Sequence, residues 1–475
     1  MNFNCFFRPK SVAILGAISG AGKVGHNFIT NLIKSKYPGK IYPVHPGLRE
    51  IMGMKIYPSI KDIPEKVDLL LIATPPPVVP AILLECAEKG IKAVILSSAG
   101  FAEGDEEGKE LERKVVVIAR EHGIRIMGPN TQGLIDSEGK LMICSVTNSP
   151  PPMLGESGVA YVCQTAFFYW DWVLKNPHLG LTKAVDLGNM CDVDHADVID
   201  YLSVDPKIRV FALHIEGMDE GRKFQEIARK VTLKKPVIAM KTGRSPAGRR
   251  AISSHTGSLA GRDEIYNGSF RRTGIIRAID MDELINFTKT FACLPSLPTG
   301  NRVGIITISG GAGTLAVDAC KEFGLNLAEL SETTIEMTKQ VLPPWATARN
   351  PFDMFTSLKI DAQSTYSMAL EAFSDDPNVD SIVVIGILTS IISEMSALNA
   401  LQKYAESGIK KPTVVCGFRD EGALKQLADL ETKGLPVYSS VRSAVKSLAA
   451  AYSRHQFLEN NNIYRPFPRP PRGFS

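Results

Sequence analysis

The chain has 475 residues, 44% of them hydrophobic and 22% charged, with a formal net charge of +4. That length exceeds one ordinary core and fits roughly two to four domains. The modest positive balance permits anionic small molecules without marking a nucleic-acid binder, and no apolar run is long enough to span a bilayer.

The first residues lack the basic start and extended apolar stretch of a secretory signal. The eight cysteines are scattered without metal-ligand spacing, so reduced thiols and a cytoplasmic location are expected. Strand patterns at Ser11–Leu15, Lys40–Val44, Val67–Ala73, Ala93–Leu96 and Ile124–Met127 alternate with helical patterns near 27–34, 78–89 and 108–122. This spacing predicts a doubly wound, mostly parallel sheet. Its first loop and the segments Ala73–Pro77, Ser97–Gly100 and Gly128–Asn130 should gather at the carboxyl edge, where such sheets bind ligands.

The first loop contains Gly-x-Gly-x-x-Gly at Gly20, Gly22 and Gly25. Glycines there let backbone amides approach a pyrophosphate at a helix start. A nicotinamide dinucleotide is one reading. The second strand, however, ends Val44-His45-Pro46, without the acid that would hold an adenosine ribose. Lys23 adds a cation, which favours a nucleotide carrying extra phosphate. The loop lacks the Gly-Lys-Ser/Thr ending of a Walker A site.

After the Pro/Gly-rich segment Asn148–Gly155, a second unit starts at Gly158–Val162, and a third starts at Val303–Ile308. Each reads as a strand, a tight polar loop and a helix. The loops are Cys163-Gln164-Thr165-Ala166 and Ser309–Gly313. The two units read as divergent copies of one α/β domain. The aromatic run Phe167–Trp172 is expected at a buried interface rather than lining a pocket. Asp192, Asp194, His195 and Asp197 are the densest candidate metal cluster, and the commoner meaning of that pattern is a helix start. Expected boundaries are 1–147, 148–297 and 298–462, with a proline- and arginine-rich tail at 463–475.

The segment from Lys241 to Gly261 follows an apolar strand and places His255 in a basic, glycine- and hydroxyl-rich stretch read as a loop. That composition suits a phosphate, and imidazole is a competent phosphoryl nucleophile. The plainer reading is a phosphate loop with a bystander histidine. Lys241 and Arg244 are candidates for positive potential beside it, or ordinary surface cations.

The ordered conjunction of Tyr42–Pro46, Gly100–Glu103, Gly128–Asn130, Glu216–Phe224 and Ser254–Gly257 with these loops resembles the α subunit, or α region, of the ADP-forming acetate/acyl-CoA synthetases, relatives of succinyl-CoA synthetase. The resemblance covers residues 8–455. It implies a Rossmann-like CoA-binding domain followed by two flavodoxin-like ligase domains. The implied reaction is acyl-CoA + ADP + phosphate ⇌ carboxylic acid + CoA + ATP, passing through an acyl phosphate and a phosphohistidine.

By this resemblance His255 carries the phosphoryl group and Glu216 orients it. Ser19, Lys23, Val24, Val44, Pro75, Ser98, Ala99 and Asn130 border coenzyme A, and Gln164, Thr165, Ala166 and Ser254 position phosphate. No metal ligand is assigned. ATP/ADP and Mg2+ would bind chiefly to a separate ATP-grasp β subunit, in an α2β2 assembly, with no nucleic acid or membrane as partner.

The family's usual Ser-Gln-Ser-Gly reads Cys163-Gln-Thr-Ala166 here, Gly-Pro-Asn-Cys reads Gly128-Pro-Asn-Thr131, and Asn-Pro reads His45-Pro46. A CoA- or acyl-CoA-binding sensor or scaffold without turnover is therefore the alternative, and an NAD(P)-dependent oxidoreductase a minor one.

Overall fold

The computed structural model describes residues 3–146, 155–256, 261–391 and 395–463, without the side chains of 253–256 and 356–360. The chain forms two compact units, Met1–Met281 and Asp282–Ser475.

The first unit holds two sheets. After the short helix α1 (Asn4–Phe7) come β1 (Ser11–Leu15), α2 (Val24–Lys34), β2 (Lys40–Val44) and a small hairpin of β3 (Glu50–Ile51) and β4 (Met54–Lys55). They are followed by β5 (Leu69–Ile72), α3 (Val79–Lys89), β6 (Ala93–Leu96), α4 (Glu106–Glu121) and β7 (Arg125–Met127). The strands lie in the order β2-β1-β5-β6-β7 and pair in parallel. β5 and β6 are unbroken apolar runs, buried throughout, as strands covered on both faces must be. Local capping moves the helix starts from those expected. The Asp105 carboxylate accepts from Gly108 N at 2.8 Å, so α4 begins at Glu106 rather than Gly108.

The second sheet uses β8 (Gly133–Asp136), β9 (Leu141–Cys144), β10 (Val159–Cys163), α5 (Phe167–Lys175), β11 (Lys183–Asp186), α6 (His195–Ser203) and β12 (Val210–Ile215). It continues with α7 (Gly221–Thr232), β13 (Val237–Lys241), α8 (Pro246–Thr256), α9 (Asp263–Thr273) and β14 (Ile276–Ala278). Its order is β14-β13-β12-β10-β11-β8-β9. β8 joins β11 antiparallel, and a buried ion pair of 2.5 Å between Asp136 and Lys183 stitches them. Sheet membership thus changes after β7. The composition break used to divide the sequence lies further on, at Asn148–Gly155, and residues 148–154 of it are outside the described residues.

The second unit opens with α10 (Met281–Cys293), then β15 (Arg302–Thr307), α11 (Gly310–Glu322), β16 (Asn326–Leu327), α12 (Glu332–Lys339), β17 (Phe352–Asp353) and α13 (Phe355–Asp375). β18 (Ser381–Leu388), α14 (Leu398–Ser407), β19 (Thr413–Arg419), α15 (Leu424–Thr432), β20 (Val437–Tyr438) and α16 (Val441–Asn460) complete it. The order is β16-β15-β18-β19-β20, with β17 also beside β15. The tail beyond residue 463 lies outside the described residues.

In the second sheet, and in the third once the two-residue β17 beside β15 is set aside, the parallel strands follow the order second, first, third, fourth, fifth of their own chain sequence. Repetition of that order agrees with two copies of one α/β domain. It also opens a crevice between first and third strands, where the connections leave to opposite faces. In the second sheet that crevice lies between β10 and β12. Among the described residues, no helix is long and apolar enough to cross a membrane.

Candidate functional site

Two groups of expected site residues fall on the carboxyl edges of the two sheets in the first unit. At the first edge the chain is tightly nested. A Cβ on Gly16 (φ +86°) would lie 2.6 Å from the Ala73 carbonyl oxygen, and one on Gly25 would lie 2.2 Å from the Gly16 oxygen. These two positions require glycine. Gly22 (φ +86°) has open space around it instead, leaving room for a ligand beside the backbone. Lys23 caps α2 with an extended backbone and is exposed, as is Ser19, while Val24 begins the helix half-buried.

Pro75 and Ala99 are exposed on neighbouring turns. Ser98 is buried, its carbonyl accepting from Asn130 N at 2.9 Å. Asn130 itself is left-handed (φ +59°) after a cis Gly128–Pro129 bond. Val44 differs from the rest: its side chain is 0% exposed within the apolar core, so it packs the strand end and offers no surface to a ligand.

At the second edge, β10 ends at Cys163 and β12 at Ile215, and the residues just beyond them interlock. Gln164 is 4% exposed, and its Oε1 accepts from Glu216 N at 2.6 Å and Gly217 N at 3.1 Å. Thr165 Oγ1 donates to Glu216 Oε1 at 2.9 Å. The glutamate is thereby held at backbone and side chain by two consecutive residues of the facing loop. Ala166 caps α5 at φ −59°, which any residue adopts, so its β-carbon causes no backbone strain there. Burial pushes the Cys163 thiol well up, keeping it neutral and inert.

Below this edge the aromatic run is mostly packing. Trp172 and Tyr169 are buried, Trp172 Nε1 donates to Gly180 O at 2.8 Å, and Phe168 stacks on His214 with centroids 3.7 Å apart. Phe167 alone is strongly exposed, at 60%.

Asp186 was not singled out from the sequence, yet it connects the two edges. It ends β11 opposite Cys163, and its carboxylate accepts from Gln132 N at 2.7 Å and Gly188 N at 3.3 Å. Its carbonyl accepts from Thr131 Oγ1. Asn189 N reaches Pro129 O at 3.0 Å, so the Gly128–Asn130 turn is fastened to the end of β11. Burial raises the Asp186 carboxyl to about 7, with the Glu216 charge adding to the shift. The signal available in sequence was an acid closing the short strand Lys183-Ala-Val-Asp186.

The densest candidate metal cluster of the sequence is engaged in ion pairs and a helix cap. Arg125 binds Asp192 and Asp197, each at 2.7 Å, and Lys223 binds Asp194 at 3.0 Å and Asp197 at 2.6 Å. Asp194 caps α6 through Asp197 N, and His195 is buried with Nε2 2.9 Å from His214 O. These residues are a helix start and an ion-pair network. No metal-holding group of three such side chains occurs among the described residues.

The segment expected to be a loop around His255 is helical over Pro246–Thr256. Ser245 Oγ accepts from Gly248 N at 3.0 Å and Pro246 opens the first turn, two start signals that outweigh the loop-like composition. The side chains of Ser254 and His255 lie outside the described residues. Ile252, one turn earlier, packs against Gly243, whose Cβ position is 2.2 Å from Ile252 Cδ1.

Three family profiles match the chain in order: "CoA binding domain" at residues 10–136, "Succinyl-CoA ligase like flavodoxin domain" at 156–291 and "Ligase-CoA domain" at 303–457. The chain is 38% identical over 463 residues to acetate–CoA ligase (ADP-forming) II subunit alpha of Pyrococcus furiosus, covering 96% of this chain and 98% of that protein. It is 37% identical to acetate–CoA ligase (ADP-forming) II of Archaeoglobus fulgidus, covering 93% of this chain but only 65% of that longer protein. In structure it is similar to the dinucleotide-forming acetyl-coenzyme A synthetase 1 of Ca. Korarchaeum cryptofilum in complex with phosphate and ADP. There the TM-score is 0.86 and the identity 28%, over 98% of this chain and 100% of that one.

Proposed function

The chain belongs to the ADP-forming acetate–CoA ligase family, and on that premise we propose that it is the α part of an acid–CoA ligase. The reaction interconverts acyl-CoA, ADP and phosphate with a carboxylic acid, CoA and ATP. The observation that carries this reading is the interlock of Gln164 and Thr165 with Glu216 at the crevice between β10 and β12. It sits at a ligand-binding position of the fold and fixes a carboxylate in place.

In the direction of ATP formation, a phosphate oxygen attacks the thioester carbonyl, the C–S bond breaks, and CoA leaves as the thiol with a proton. The product is an acyl phosphate. An imidazole nitrogen of His255 then attacks phosphorus, the bond between phosphorus and the acyl oxygen breaks, and the carboxylate departs. Transfer from His255 to ADP completes the cycle. Glu216 holds the imidazole tautomer that presents a lone pair, and steadies the charge that develops on the ring. Amides at the start of α5 face the phosphoryl oxygens.

Coenzyme A fits the first edge: Gly22 leaves open space, the start of α2 favours anionic charge, and Lys23 is an exposed cation. Ser19, Val24, Pro75, Ser98, Ala99 and Asn130 border it. ATP/ADP and Mg2+ belong to an ATP-grasp β partner in an α2β2 assembly. The α-subunit name of the Pyrococcus furiosus relative and the extra length of the Archaeoglobus fulgidus one support such a partner.

Mass spectrometry at neutral pH tests this reading, after incubation with acyl-CoAs and phosphate or with ATP, Mg2+ and the ATP-grasp partner. One phosphoryl group on His255, absent from His255→Ala, is the expected result. CoA binding without phosphorylation would move the assignment to a sensor or scaffold.

A further inference from the structure

The second unit holds a cavity of about 660 Å3 that the proposed reaction does not use. One wall is a face of α11, where Gly310, Thr314 and Val317 follow one another at helical spacing. The other is the segment from Trp345 to Phe355, which passes through β17 into α13. Asn350 anchors that segment to the third sheet. Its Nδ2 donates to the Val303 carbonyl at 2.7 Å and the Ala328 carbonyl at 3.0 Å, and its Oδ1 accepts from Ile305 N at 2.9 Å. Pro351 then lies 3.2 Å from the Cβ position of Gly313, a close approach to α11 that the glycine permits.

Three side chains of different chemistry line this cavity. Trp345 is 75% exposed, although a large aromatic ring is worth most when buried. Arg349 is also exposed. Among the described residues neither side chain has a hydrogen bond, ion pair or ring contact. Asp353 ends β17, in register with Thr307 of β15. Its Oδ1 accepts from Phe355 N at 3.2 Å, whereas Oδ2, 3.2 Å from the Cβ position of Gly310, has no donor among the described residues.

Each of these groups recognises one part of a nucleotide. A flat indole stacks on a base without regard to its sequence. A carboxylate at a strand's carboxyl end accepts from ribose hydroxyls, as acids do in doubly wound sheets. A guanidinium pairs with phosphate oxygens. The volume lies within the range of about 300–1,000 Å3 usual for small-ligand sites. One arginine beside one carboxylate does not balance a triphosphate, so the ligand carries few charges. We propose that this cavity binds a nucleoside mono- or diphosphate, with Trp345 on the base, Asp353 on the ribose and Arg349 on the phosphate. No residue assigned to coenzyme A or to the Glu216 crevice lines it, so the inference goes beyond the ligase reading and fails or stands separately from it.

The test titrates ADP, adenosine and 2′-deoxy-ADP into the full chain without an ATP-grasp partner, read by tryptophan fluorescence and by calorimetry. Of the three tryptophans, Trp172 is buried and Trp345 is strongly exposed, so stacking on Trp345 is expected to change the emission. That change should vanish in Trp345→Phe, which keeps a stacking ring. Trp345→Ala is expected to weaken ADP by about tenfold. Arg349→Gln should weaken ADP by about tenfold and leave adenosine unchanged. Asp353→Asn should remove the preference for ADP over 2′-deoxy-ADP. Thermal melting serves as the folding control.

Absence of ADP binding, or ADP affinity equal in wild type, Trp345→Ala and Arg349→Gln, would overturn the inference. ADP that binds without altering Trp345 emission lies elsewhere in the chain and overturns it as well. If Asp353→Asn does not fold, the comparison of ADP with adenosine in Arg349→Gln decides. Binding through Trp345 and Arg349 in a chain that never phosphorylates His255 would remove the ligase reading and leave the nucleotide site standing.

Discussion

Thr165 donates its hydroxyl to Glu216 across the crevice between β10 and β12, at 2.9 Å. The two residues are 51 positions apart in sequence and meet because their strands are neighbours in the sheet. A hydrogen bond to a charged group is worth roughly 1.5–3 kcal/mol. Thr165→Val should therefore lower the yield of phosphohistidine by about 10- to 100-fold, while Thr165→Ser retains most of it. Phosphopeptide quantification on both variants checks the expectation. Equal yields would show that Glu216 is held without this hydroxyl.

The buried His195 should make the protein acid-labile. Burial pushes its pKa down to about 4 from the ordinary 6.5. In the unfolded chain the imidazole binds a proton below about 6.5, whereas the folded state resists until about 4. Stability from this group is thus present above pH 6.5 and is lost as pH falls toward 4, by up to about 3 kcal/mol. Urea unfolding of wild type and His195→Gln across that window should show a shallower acid slope in the variant.

Asp186 runs the other way. Its pKa is raised by burial from 3.8 to about 7, so the folded state keeps the proton that the unfolded chain gives up. Its contribution is full below about 3.8 and declines as pH rises through about 7. Asp186→Asn, neutral at every pH, should gain stability relative to wild type between pH 5 and 8. A parallel pair of stability curves would exclude titration of Asp186 in that range.

Lys183 and Asp136 form a buried pair at 2.5 Å between β11 and β8. Removing one partner strands the other charge, and Lys183→Met is expected to cost about 3–5 kcal/mol. The double variant Lys183→Met with Asp136→Leu should recover much of that loss. Denaturant midpoints for the four proteins of this double-mutant cycle give the coupling directly.

The α/β class was legible because β5, β6, β12, β13 and β18 are short apolar runs separated by helical periods, a pattern fixed by local burial. Gln164, Thr165 and Glu216 were legible as residues, through the family motif, but their contact was not. Periodicity reports which way a side chain faces, not which distant loop it meets. The stretch around His255 was misread as a loop because glycine, serine and arginine suggest flexibility. The Ser245–Pro246 start signal is local and was there to be found.

Sequence alone determined the three α/β units, two of them alike, the glycine positions of the first loop and the family to which the motifs belong, since each depends on residues close together in the chain. Only the tertiary structure decided that β8 and β9 join the second sheet, that Asp186 fastens one carboxyl edge to the other, and that Lys241 is buried at the end of β13. Those facts depend on strand order, and strand order is set by packing between segments far apart in sequence.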